Sequence, residues 1–390
     1  MVDLALSSMA LFVYSKAQKF PPAATEASSK YDRLLRLAQE RISQVGVPTL
    51  DERNIDACLL AVLLMGRYEG ATYRPGDLNS RDSFTSLQSW SHHDGAMAIL
   101  KVWNDNLSHN PATYIMKQIR RGLIKSFLLR NLPLPNWMLN GDRFGERDLE
   151  LDYDRIIVRI VNLHYTSASL QQKNGLQIVE AEELKNEARE LDEALQDWAA
   201  HFPSAWSYQR HILTEPDPNP RRPLYSSVVY SYSRHGYAAV WSLYFATRML
   251  LNSTRLRILG TSRPNLLVDF TYEQQRLECN TQLKAMADSL ASTIPFCLER
   301  FKVVEYPNSP IRQTSIMLNT NEEVKPSLAS LVVWPLTIAS SLEGIEVRQQ
   351  MWFRSELARL GRITGAGILE CAETGQWAIP PGGARSHWAN

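Results

Sequence analysis

Residues 55–68 read IDACLLAVLLMGRY, the strongest helical pattern in the chain. Apolar side chains recur at steps of three and four from Ile55, the spacing of a helix, and further apolar residues fill most of the remaining face. A helix that is apolar nearly all round is typical of a protein centre. Just before it, Thr49 and Glu52 form a capping pattern that satisfies first-turn amides. We therefore expect a central, buried helix here.

Further helical patterns follow along the chain. Ser91 and Asp94 make a second capping pattern, and Pro111 suits the first turn of the next helix. An apolar stripe at alternating steps of four and three predicts an amphipathic helix that ends before Pro203. The stripe consists of Leu184, Ala188, Leu191, Leu195 and Trp198. We expect the ring of Trp198 to be buried.

Prolines divide the second half of the chain. Four of them between positions 216 and 223 predict a stiff, extended connector. A long aromatic-rich helix is expected at about 234–259, and the helix after it should stop before Pro295. Pro335 should kink an apolar helix.

Period-two alternation, which marks strands, is nearly absent. No composition shift separates two cores. The sequence therefore predicts an all-α fold, a single large multi-helix domain with long loops over residues 1–373. A flexible tail at 374–390, rich in proline and glycine, should follow it.

Composition excludes several classes of protein. The 390 residues carry 42 Lys and Arg against 41 Asp and Glu, a formal net charge of +1. A hydrophobic content of 44% excludes a disordered or collagen-like chain, and the charge balance provides no general attraction to nucleic acid. The N-terminal residues lack the basic leader of a signal peptide, and the longest uncharged run, 326–342, is too short to span a bilayer. We expect a soluble, intracellular protein without a membrane partner.

Metal and cofactor motifs are weak. Cys58, Cys279, Cys297 and Cys371 are too scattered for a zinc site or a disulfide scaffold. The glycines at 365 and 367 lack the third glycine of a dinucleotide loop. We expect no cofactor in this chain.

Two polar groups contain candidate metal ligands, but neither has the spacing of a metal site. His92 and His93 are adjacent on a helix, so they cannot chelate one metal together, and one of them should cap or hydrogen-bond near the helix start. Acidic residues alternate from Glu146 to Asp154, but a calcium loop would need glycine and glutamate where Tyr153 and Arg159 stand. We expect a solvated acidic loop there.

One basic row is the candidate binding site. Lys117, Arg121 and Lys125 follow at four-residue steps, with Arg120 alongside. Such a row could contact a phosphate backbone or an acidic partner. The alternative is the solvated face of an amphipathic helix.

Several segments, taken together in their order, resemble a known family. They are the run from Leu59 to Glu69, Ser89–Ala96, Leu195–Pro203, His235 to Arg248, Ile294–Phe296, Trp334–Leu336, and Trp352 to Gly365. Each is a helix-packing pattern that is unspecific alone, but their joint order, over roughly Leu4 to Glu373, resembles the fungal-specific transcription factor domain. That domain is the regulatory region of fungal binuclear-zinc-cluster activators.

The resemblance implies an all-helical, nuclear regulator of RNA polymerase II transcription with no catalytic residues. Its implied partners are the transcription machinery or a DNA-binding partner, a small-molecule effector, and a second copy of the chain. Family members also carry six cysteines that bind two zinc ions and read DNA, and this chain has no such cluster. We therefore expect no direct sequence-specific DNA binding by this chain. Either the protein is a regulator that lacks its own DNA-binding module, or the gene model begins late.

Two alternatives stay open at this stage. One is a helical enzyme or small-molecule binder with a dispersed site, for which a carboxylate or histidine without a partner in an apolar pocket would argue. A dry pocket lined by Trp241, Tyr244 and Trp334 would instead favour ligand sensing. The other alternative is a scaffold without a ligand.

Overall fold

The computed structural model describes residues 1–44, 52–73, 90–106, 110–172, 178–213, 224–261, 270–305, 314–319, 324–374 and 377. Within these ranges the chain forms twelve α-helices, with two small antiparallel hairpins as its sheets. The prediction of an all-α fold with connecting loops is confirmed. Across the same ranges, no helix is both long and apolar enough to cross a membrane.

The chain divides into two compact units. The described residues of Met1–Tyr165 and Gly365–Cys371 form the first unit, and those of Thr166–Thr364 and Ala372–Ala378 form the second. The single domain over 1–373 stays a prediction.

The first unit contains helices α1–α5, most of α6, and α12. Their bounds are α1 Val2–Gln18, α2 Pro21–Gln44, α3 Glu52–Thr72, α4 Trp90–Asn106, α5 Tyr114–Arg130, α6 Asp148–Gln172 and α12 Gly367–Glu370. The helix expected over 55–68 is α3; its Leu59, Met65 and Tyr68 are buried, but Leu63 is 39% exposed, so the expectation of burial on nearly all sides is wrong. Helices α1 and α2 pack on it, and the rings of Tyr31 and Tyr68 stack with centroids 4.4 Å apart. Thr49, the expected cap, lies outside the described residues.

The second unit is built around the pair α8 and α9. Its helices are α7 Ile178–Ala200, α8 His235–Thr261, α9 Phe270–Cys297, α10 Pro326–Ser341 and α11 Val347–Thr364. The hairpins pair β1 Gln209–Ile212 with β2 Val228–Ser231, and β3 Phe301–Glu305 with β4 Thr314–Leu318. Helix α8 is buried continuously from Tyr244 to Asn252, because α7, α9 and α10 all pack against it. The proline-rich connector at 216–223 lies outside the described residues.

Helix α7 follows the sequence prediction. It ends at Ala200, before Pro203, and Trp198 is buried with its ring edge-on to Phe202 at 4.7 Å between centroids. The predicted burial of Trp198 is therefore confirmed.

Several predicted helix boundaries are wrong. Ser91 lies inside α4 rather than capping it. Pro111 precedes α5, whose cap is Thr113, because the Thr113 hydroxyl accepts a hydrogen bond from the Met116 amide at 3.2 Å. Helix α9 continues through Pro295 to Cys297, so this proline did not end it.

The tail expected from 374 is anchored at Trp377. Its side chain is only 3% exposed, and its indole Nε1 donates to the Ser340 hydroxyl at 2.8 Å. Residues 378–390 of the expected tail lie outside the described residues.

Candidate functional site

The basic row on α5 meets the acidic segment 146–154. Six residues form this charge cluster: Lys117, Arg120, Arg121, Glu146, Glu150 and Asp154. Both sets of charges belong to the first unit. The row therefore has an intramolecular acidic partner, whereas its contact with a polyanion or another protein stays a prediction.

Arg120 occupies the centre of the charge cluster. Its side chain is fully buried, and its guanidinium donates to both carboxylate oxygens of Asp154, at 2.5 and 2.9 Å. Nε and Nη2 also donate to the carbonyl of Met138, at 2.9 and 2.7 Å. The ring of Phe144 covers the guanidinium at 5.0 Å. The expectation of a solvated face is wrong for Arg120, because every one of these partners excludes water from it.

Lys117 and Arg121 form the outer part of the charge cluster. Arg121 donates from Nε and Nη2 to the two oxygens of Glu146, at 2.7 and 2.5 Å, and these bonds raise the pKa of the guanidinium. Lys117 lies 2.5 Å from Glu150 and 3.4 Å from Glu146. Burial alone would raise the pKa of Glu150, but Lys117 and Arg121 outweigh it and leave that pKa lowered. The Glu150 carboxylate is thus held in its ionised form.

The expected acidic loop is wrong, because most of it is the first two turns of α6. On a helix, residues four apart share a face, so Glu150 and Asp154 both pair with α5, Glu150 at an exposed position and Asp154 buried, while Asp148 and Asp152 are exposed. Gly141 lies so close that a Cβ there would collide with the Asp154 carboxylate. The charge cluster thus ties α5, the 138–146 turn and α6 together.

Lys125, the fourth predicted residue, lies one helical turn beyond Arg121. Burial, together with the neighbouring positive charge of Arg121, lowers its pKa to about 8. The ion pairs of the charge cluster therefore involve three of the four residues of the predicted row.

A second polar group, absent from the sequence predictions as a set, joins α2, α3 and α4. The hydroxyl of Tyr31 donates to Glu69 Oε1 at 2.5 Å, and His92 Nε2 lies 3.0 Å from the same oxygen. Burial alone would raise the pKa of Glu69, but the hydrogen bonds of His92 and Tyr31 outweigh it and leave the pKa lowered. Burial and Glu69 raise the pKa of Tyr31. The hydrogen-bonding role expected of one histidine belongs to His92.

In the second unit, charges lie beside the aromatic rings of α8. Arg248 donates to both oxygens of Asp192 at 2.9 Å and to the Tyr244 hydroxyl at 3.0 Å, all in the buried core. Trp241 and Tyr244 are in ring contact, with centroids 5.6 Å apart. This region is therefore not the dry pocket without titratable neighbours that would favour ligand sensing. The buried carboxylate found here has a partner, so it does not argue for the enzyme either.

The four cysteines are free thiols. Burial raises the pKa of Cys279 to about 11 and that of Cys297 to about 12, so both stay protonated near neutral pH. Among the described residues, no group of His, Cys, Asp and Glu could hold a metal ion.

Comparison with known proteins finds no match among family models, curated proteins or solved structures. The fold and the site define an all-α protein in which a basic helix face is bound by the chain's own carboxylates. The sequence does contain a signal for this cluster: Lys117 and Arg121 are four residues apart on one helix, and Glu150 and Asp154 are four residues apart on another. It required reading the acidic segment with a helical period.

Proposed function

We propose that this chain is a nuclear regulator of RNA polymerase II transcription, whose 390 residues contain no six-cysteine zinc cluster. It acts through contacts on helix faces, with the transcription machinery or with a DNA-binding partner. A small-molecule effector is a further partner that the resemblance implies.

One observation carries the proposal: the segments that resemble the fungal regulatory domain contact one another. Glu69, at the end of the first segment, pairs with His92 in the second at 3.0 Å. In the second unit, His235 stacks on Phe296 with ring centroids 5.1 Å apart. Segments that were matched only by their order along the chain thus meet as packing pairs, as expected if they preserve a shared helical scaffold.

A second contact of the same kind supports it. Phe202, from the Leu195–Pro203 segment, packs edge-on against Trp241 of α8, with ring centroids 5.1 Å apart. The resemblance and the packing therefore rest on the same side chains. The charge cluster is also consistent with a regulator that does not bind DNA directly. Its ion pairs stabilise the helical scaffold, and they pair the positive side chains that nucleic-acid binding would need with carboxylates of the same chain.

The test is a tethering experiment with the full chain. The chain is fused to a heterologous DNA-binding domain and assayed on two reporters, one with low basal output and one already activated, so that either sign of regulation is visible. We expect a change in at least one reporter relative to the DNA-binding domain alone. The same fusion, observed by fluorescence microscopy without an added nuclear signal, should accumulate in the nucleus.

A folding control makes the result interpretable. Leu250 is buried in α8, so Leu250→Asp should abolish the reporter response by disrupting the second unit. Output equal to that of the DNA-binding domain alone on both reporters, with the fusion present at the operator, would refute the proposal.

A further inference from the structure

The outer face of α1 is an exposed apolar stripe. Leu6, Val13, Tyr14 and Phe20 are each between 44% and 55% exposed, and Tyr14 and Phe20 are in ring contact at 6.4 Å. Ala10 and Ala17 are exposed on the same face as Leu6 and Val13. The opposite face of α1 packs into the core of the first unit through Ala5. The helix is therefore apolar on both sides although only one side is covered within the unit.

The stripe follows a seven-residue repeat with alternating large and small side chains. Leu6 and Val13 are seven residues apart, as are Ala10 and Ala17, and the two pairs interleave at steps of four and three. This is the spacing by which one helix packs along another in a coiled coil. In an antiparallel pair of α1 helices, Leu6 faces Ala17 and Ala10 faces Val13 of the other copy. Each large side chain then meets a small one, four times along the contact.

Charge favours the antiparallel arrangement. Asp3 lies in the first turn of α1, and Lys16 and Lys19 lie at its end. Antiparallel packing brings opposite charges and opposite helix dipole ends together, whereas parallel packing would bring like charges together. Lys16 donates to the carbonyls of Ala71 and Gly365 of its own unit, at 3.2 and 3.5 Å, which fixes the position of this ammonium near the C-terminal end of α1.

We propose that the exposed face of α1 is a homodimer interface, in which the α1 helices of two copies pack antiparallel with Leu6 against Ala17 and Ala10 against Val13. The interface is isologous, since each copy presents the same stripe. The 17-residue helix is about 25 Å long, so the contact lies near the lower limit of roughly 1,000 Å² for specific interfaces. We therefore expect a dimer with a Kd on the order of 10 µM. This inference does not depend on the proposed regulatory role.

The first experiment measures association of the full chain by sedimentation velocity from about 1 to 100 µM, a range that brackets the expected Kd. The double variant Leu6→Glu/Val13→Glu should raise the dimer Kd by about tenfold or more, because it places four carboxylates in the contact. The matched control is Leu277→Glu/Val347→Glu, whose positions are 68% and 70% exposed on α9 and α11. The control should dimerise like the wild type. A monomer at every concentration, or equal Kd values for the two double variants, would overturn the proposal.

The second experiment tests the direction of packing by disulfide trapping. A Leu6→Cys chain mixed with a tagged Ala17→Cys chain should yield the mixed cross-linked dimer under mild oxidation. Leu6→Cys alone should not, since the two Leu6 positions lie about 16 Å apart along the antiparallel pair, well beyond disulfide reach. The wild type, with its four natural cysteines, sets the background. Cross-linking of Leu6→Cys to itself would mean parallel packing and would overturn the arrangement.

Discussion

Arg120→Met removes the cation at the centre of the charge cluster while keeping a long apolar stem under Phe144. It eliminates two hydrogen bonds to Asp154 and two to the Met138 carbonyl. It also leaves Asp154, whose side chain is 4% exposed, as a buried charge without its main partner. Breaking a buried ion pair in this way costs about 3–5 kcal/mol of the free energy of unfolding.

A second substitution distinguishes the cost of leaving the Asp154 charge unpaired from the net contribution of the ion pair to stability. Arg120→Met/Asp154→Leu replaces the carboxylate with an apolar group of the same branched shape, so most of the loss should be recovered. The Met138 carbonyl still lacks its donors in this variant, and we expect a remaining cost of about 1–3 kcal/mol. The double variant should therefore be more stable than the single one.

The assay is urea denaturation of the full chain, followed by far-ultraviolet circular dichroism and by tryptophan fluorescence. A loss of about 3–5 kcal/mol lowers the transition midpoint of the affected unit by roughly 1–3 M urea. The matched control is Arg155→Met, the same substitution at an exposed arginine of α6 paired with Asp152 at 3.7 Å. It should change the midpoint little. Equal midpoints for Arg120→Met and Arg155→Met would refute the reasoning that buried pairing stabilises this unit.

Three further predictions concern the packing of Trp198, the carboxylate of Glu69 and the binding of DNA. Trp198→Ala should lower the free energy of unfolding of the second unit by about 3–5 kcal/mol, because it removes a buried ring. Glu150→Ala, at an exposed position of the charge cluster, should lower it by about 1 kcal/mol or less. Equal urea midpoints for the two variants would contradict this. The pKa of Glu69 is below its ordinary value of 4.5, so the stability that its carboxylate contributes is present above that pH and is lost as the pH falls. Thermal melts between pH 3 and 7 should accordingly show a weaker acid loss for Glu69→Gln than for the wild type. Titration against promoter and mixed-sequence duplexes should reveal at most weak, salt-sensitive binding, of roughly 10⁻⁴ M or looser, and a sequence preference that persists at physiological salt would contradict the absence of a DNA reader.

The helices of this protein could be predicted where periodicity was strong and uninterrupted. The apolar run 55–68 and the stripe ending at Trp198 both appear as helices, because a 3.6-residue period follows from local geometry alone. The stripe ending at Trp198 is buried as expected, whereas Leu63 of the first run is exposed, because burial depends on which elements pack against the helix. Helix ends were less predictable. Pro295 lies within α9 rather than beyond it, since packing around this buried residue outweighs the local preference of proline.

The all-α class, the positions of the main helices and the chemical types on each face can be predicted from the sequence alone, since these depend on neighbours along the chain. Which charges are paired depends instead on how the helices pack together. Arg120 reads as one member of a solvated row, yet it is fully buried against Asp154, 34 residues away. Likewise, Glu69 and His92 belong to separate helices and share a hydrogen bond only after α3 and α4 pack. A charge's environment depends on residues distant in sequence, and no local pattern records which of them it will meet.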